Sequence, residues 1–147
     1  MKKKPNWTVL SLTASAAVQV ILLTAVWILQ DLTGKKAGVS HHLQFRRTAF
    51  LHSWMTEGNV LLLTGLLVTA GLLLTACVYR RRTHLRPPAK LAAVLSLIWA
   101  GLGLYAMYSP SLRALPVYPY LMLAAAVCLL LSAVPTAAGL LQKPSDF

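Results

Sequence analysis

At 147 residues, 57% hydrophobic and with mean hydropathy +0.64, the chain has room for one domain, 1–147, and is too apolar for a soluble one. Fourteen Lys and Arg face three Asp and Glu, a net charge of +11. Those cations sit at the ends of apolar runs, where they meet anionic headgroups and fix topology, so no nucleic-acid partner is expected. Cys77 and Cys128 match no metal or redox spacing and are too few for a disulfide framework. Both read as small apolar packing residues.

The first apolar run covers 8–29. Lys2, Lys3 and Lys4 with Ala14-Ser15-Ala16 resemble a secretory leader, but the run continues well past that site to Leu29. It is expected to remain as an uncleaved membrane anchor. Gln19 is the most polar group within it, and buried amides of membrane helices usually bond to a neighbouring helix. A loop over 30–59 follows, broken early by Gly34 and Gly38. Ser40 to Thr56 is expected to be a helix, with Leu43, Phe50, Leu51, Trp54 and Met55 gathered mainly on one side. It would lie on the bilayer surface, cap the bundle, or extend the second span.

The second run, 60–79, ends in Arg80-Arg81-Arg82, with Arg86 and Lys90 close behind. This cluster is a stop-transfer anchor expected to meet lipid headgroups. Arg86-Pro87-Pro88 forms a rigid turn that cannot continue a helix. The third run is 89–108, with Trp99 near its middle, where the indole N–H requires a partner such as a Ser or a backbone carbonyl. A tight connection with two prolines leads to the fourth run, 117–141, which Pro135 is expected to kink. Each run is near the roughly 20 residues that cross a bilayer as a helix, and none holds a charged side chain except Lys90 at one edge.

These features predict an all-α integral membrane protein: a four-transmembrane-helix up-down bundle with a helical outer loop between spans one and two. With both termini cytoplasmic, nine basic residues fall inside (Lys2, Lys3, Lys4, Arg80, Arg81, Arg82, Arg86, Lys90 and Lys143). Five fall outside (Lys35, Lys36, Arg46, Arg47 and Arg113), which sets the orientation in a bacterial-type plasma (inner) membrane. Trp27, Tyr105, Tyr108, Tyr118 and Tyr120 would mark the outer interface, and Trp7 and Tyr79 the inner one. Small residues recur four apart in every span: Ser11 and Ser15; Gly65 and Thr69, with Gly71 and Thr75; Ala92, Ser96 and Ala100; Ala124, Cys128, Ser132 and Thr136. Such stripes let helix backbones approach in lipid.

Candidate chemistry is sparse. His41 and His42 point about 100° apart on a helix, and His52 is ten residues beyond His42, or about 15 Å along the axis. No metal site or haem is expected from them, and no cofactor from the chain as a whole. Glu57 near His52 offers a carboxylate for acid–base work, or an ion pair with Arg46, Arg47 or Arg113. Gly-rich phosphate loops, a nucleophile elbow and a Cys-x-x-Cys pair are absent.

Size, four spans and basicity are also features of the membrane-associated eicosanoid and glutathione metabolism family. Arg46, Arg47, Glu57 and Asn59 occupy a region roughly comparable to that family's functional residues. No continuous motif matches, and Asn59 leads into Val60-Leu61-Leu62-Leu63 where a second carboxylate would stand, so membership is not assigned. The expected function is an accessory or scaffold subunit of a membrane complex, partnered by anionic lipid and by another membrane protein or a second copy. The alternatives are a carrier or permease-like protein for a small neutral or apolar solute, lined by Gln19 and Trp99, and a membrane enzyme using His52 and Glu57. No catalytic residue is assigned.

Overall fold

A computed structural model describes residues 7–81 and 87–141. Among these residues the secondary structure is helical throughout and contains no strand. The elements are α1 (Trp7–Lys35), α2 (Ala37–Ser53), α3 (Glu57–Arg80), α4 (Pro87–Tyr108), α5 (Pro110–Arg113) and α6 (Tyr118–Leu141). Four of them, α1, α3, α4 and α6, are long and apolar enough to cross a membrane.

The helix ends have local causes. α1 continues six residues beyond the expected Leu29, through Lys35, and Lys36 then turns extended at φ −130°, ψ 112°. The break falls at Lys36, and neither Gly34 nor Gly38 has a positive φ. Both glycines are helical, so the expectation that they interrupt the chain is corrected by one backbone flip between them. α2 accordingly starts at Ala37, three residues before the expected Ser40, and ends at Ser53. It is a separate helix, because Trp54, Met55 and Thr56 divide it from α3. Thr56 is extended, and Glu57 in the first turn of α3 complements the positive end of that helix. α4 opens on Pro87-Pro88, where a missing N–H costs nothing. α5, a single turn with Pro110 at its start, was not expected within the tight connection. α6 runs unbroken through Pro135, which is buried.

The helices do not share contacts equally. α4 and α6 form the most extensive pair, α1 packs on α6 and less on α4, and α3 packs substantially on α4 alone. The small-residue stripes explain this order. Ala124, Cys128, Ser132 and Thr136 are all buried, as are Ala92 and Ser96 opposite, with Ala89 and Ala93 beside them. Ser15 and Gln19 bring α1 into the same seam. With so little side chain between them, backbones approach closely and dispersion contacts multiply. The stripe of α3 behaves differently. Gly65 and Thr69 are exposed, and a Cβ added at Gly65 would meet nothing within 4 Å. Only Gly71 approaches α4, where Leu97 lies 3.9 Å from such a Cβ. The small-residue stripes thus lie in the seam for α1, α4 and α6, and on α3 only near Gly71.

α2 rests on α1 and α6, not along the axis of α3. Leu43 is buried, and Phe50 meets Tyr118 edge-on with ring centroids 6.1 Å apart. Trp54, expected on the apolar side of this helix, lies past its end and is exposed.

Candidate functional site

The interior polar groups converge on one point. Gln19 of α1 donates through Nε2 to the Cys128 carbonyl of α6 at 3.3 Å. Its Oε1 accepts from the Trp99 indole N–H of α4 at 3.1 Å. One amide thus joins the three helices that form the seam. Trp99 was expected to bond a Ser or a backbone carbonyl; its partner is instead the other singled-out polar residue of the interior. Gln19 is 5% exposed, so an unmatched amide here would carry its full desolvation cost. Around it, Ser15, Ser96, Ser132 and Thr136 each return a hydroxyl to a carbonyl three or four residues earlier in their own helix. Such bonds satisfy the hydroxyls without a ligand.

A second set of polar contacts gathers at the end of the bundle beside α2. Arg113 donates through Nη2 to the Met107 carbonyl in the last turn of α4. Arg47 of α2 donates through Nε to the Arg113 carbonyl at 2.7 Å. Tyr118, expected as an exposed interfacial anchor, is fully buried: its hydroxyl donates to the Ala106 carbonyl at 3.2 Å, with the Met55 sulfur 3.8 Å away. At the opposite end Arg81 donates through Nη1 to the Leu140 carbonyl near the end of α6. Three arginines thus reach carbonyls that helix termini leave open, where a cation is also favoured by the helix dipole.

The remaining candidates stay apart. His52 in the last turn of α2 and Glu57 in the first turn of α3 are both exposed. Among the described residues the ion pair present is Lys35 with Asp31, at 2.5 Å, so the expected pairing of Glu57 with an arginine does not form. No group of three His, Cys, Asp or Glu among the described residues is placed to hold a metal ion. Arg80, Arg81 and Lys90 are exposed, as a headgroup role requires, while Arg82 and Arg86 lie outside the described residues. A crevice of about 370 Å³ is lined by Leu29, Gly38, Val39, His42, Leu43 and Tyr120, between the end of α1, α2 and the start of α6. It includes none of Gln19, Trp99, His52 or Glu57.

The arginine contacts escaped the sequence because their acceptors are backbone carbonyls, which carry no residue signature. The signal available was Arg81 and Arg113 at helix ends and Arg47 within α2, with no acid at matching positions. In comparisons with family models, curated proteins and solved structures, no significant match is found.

Proposed function

We propose that this chain is a small integral membrane protein of a bacterial-type plasma membrane that acts as an accessory or scaffold subunit, presenting α3 to a neighbouring membrane helix. The observation that carries this is the one-sided packing of α3. Its apolar stretch is 6% buried, against 11% for α1, 33% for α4 and 28% for α6. Its Gly65 and Thr69 face is uncovered, although it has the small-residue spacing that the other three helices use for close contact. Leu61, Leu62, Leu66, Leu72 and Leu73 are exposed alongside, a surface suited to lipid or to another apolar helix and not to water.

The interior argues against a solute path. A carrier needs polar groups aimed into a cavity, whereas Gln19 and Trp99 bond to each other. Catalysis by His52 and Glu57 has equally little support, because both side chains are exposed and neither lies in a setting that would tune it as an acid or a base.

Orientation follows from the charge distribution, with both termini and the Arg80–Lys90 segment in the cytoplasm. The experiment is native electrophoresis of membranes solubilised in mild detergent, comparing the wild type with Gly65→Leu and Thr69→Leu. The wild type is expected in a complex larger than the monomer, and both variants at monomer size with unchanged thermal unfolding. An assembly that survives both substitutions would remove the basis for this function.

A further inference from the structure

We propose that Arg47 and Arg113 form a phosphate-binding site at the α2 end of the bundle, whose ligand is the phosphate of an anionic lipid headgroup. The proposal is independent of any role for α3.

Both side chains are only partly exposed, and they are joined through the bond from Arg47 Nε to the Arg113 carbonyl. Bonds to neutral carbonyls orient the two guanidinium groups but leave both charges uncompensated. Of the chain's three acids, Asp31 pairs with Lys35, Glu57 makes no ion pair, and Asp146 lies outside the described residues. Two like charges in partly desolvated surroundings, without a counter-ion, are unfavourable. A phosphate group supplies the missing negative charge, together with acceptors for the guanidinium N–H groups that remain accessible. The planar fork of arginine matches that group better than an ammonium does.

The surroundings indicate a lipid source over a soluble one. Tyr105, Tyr108 and Trp54 are exposed near this end, and amphipathic rings collect at headgroup level. Tyr108 is tied there by a 2.9 Å bond between its hydroxyl and that of Thr64. Phosphate at that level is abundant on the membrane surface and is held in place by its acyl chains.

The test uses the full chain in a non-ionic detergent, with thermal unfolding followed as phosphatidylglycerol, diacylglycerol of the same acyl chains, or inorganic phosphate is added. Phosphatidylglycerol is expected to raise the melting temperature, and diacylglycerol to leave it unchanged. Arg47→Gln and Arg113→Gln should each weaken phosphatidylglycerol binding about tenfold, as loss of a charge-assisted bond implies. Arg46→Gln, at an exposed neighbouring position, should bind as the wild type does. Stabilisation by inorganic phosphate as well would support the site and extend it to free anions. Equal stabilisation by diacylglycerol and phosphatidylglycerol would overturn it, as would phosphatidylglycerol binding undiminished in both Gln variants. If neither Gln variant folds, the wild-type comparison of the two lipids decides alone.

Discussion

Gln19 shows how a single polar residue organises this apolar molecule. Its carbonyl and amide ends reach different helices, so rotating or removing the side chain strips partners from Trp99 and from the Cys128 carbonyl together. Interhelical hydrogen bonds of this kind contribute about 0.6 kcal/mol on average and up to about 1.7 kcal/mol. Gln19→Leu and Trp99→Phe should each lower the unfolding temperature, and the double variant should lose less than the sum. A coupling of about 0.5–1.5 kcal/mol is expected from the full double-mutant cycle. Additive losses would mean that the bond contributes nothing. Thiol reactivity offers a second check at this scale. Cys77 is exposed near the end of α3 and Cys128 is 0% exposed, so in mild detergent a maleimide should modify the first faster than the second in the folded protein. Gln19 and Trp99 were conspicuous in the sequence, because an amide and an indole stand out in a run of Leu, Val and Ala. Their mutual bond was not legible, because any of dozens of carbonyls in neighbouring helices offers an equally good acceptor.

The helices themselves were largely legible, since uninterrupted apolar runs of this length have few other uses. Their contacts were legible only in part. The stripes of α1, α4 and α6 meet as small residues should, while on α3 only the Gly71 end approaches a neighbour and the Gly65 and Thr69 end is exposed. Spacing alone does not say which of four similar faces finds a partner. The break at Lys36 was equally hidden, because lysine is an ordinary helix former and nothing local marks the position where α2 turns to pack on α1 and α6. The contrast between stripes makes a prediction about elements. Cys128→Leu and Ser132→Leu add bulk to sites with no spare volume and should cost about 1–3 kcal/mol each, or prevent α6 from packing. Gly65→Leu should leave unfolding of the isolated chain nearly unchanged, since nothing stands near its Cβ position. Equal sensitivity at Gly65 and Ser132, measured by thermal unfolding in detergent, would contradict the packing order described for α3.

For the whole molecule, two features set the frame: basic residues at the ends of the apolar runs of the sequence, and a seam of three helices with the fourth packed mainly on α4. Charge placement predicts sidedness directly. A cysteine introduced at Ser111 should react with an impermeant maleimide from outside the cell, and one introduced at Thr83 only after the membrane is opened. Labelling of both from the same side would defeat the four-span arrangement. The central claim, that α3 faces another membrane helix, is tested most directly by a photo-crosslinking residue placed at Gly65 and, for comparison, at Leu130, an exposed position on α6. Irradiation of native membranes should give a discrete protein adduct from position 65 and none from position 130. The adduct's mass would distinguish a second copy of the chain from a different protein. Absence of any protein adduct at position 65, with lipid as the only captured neighbour, would contradict the account.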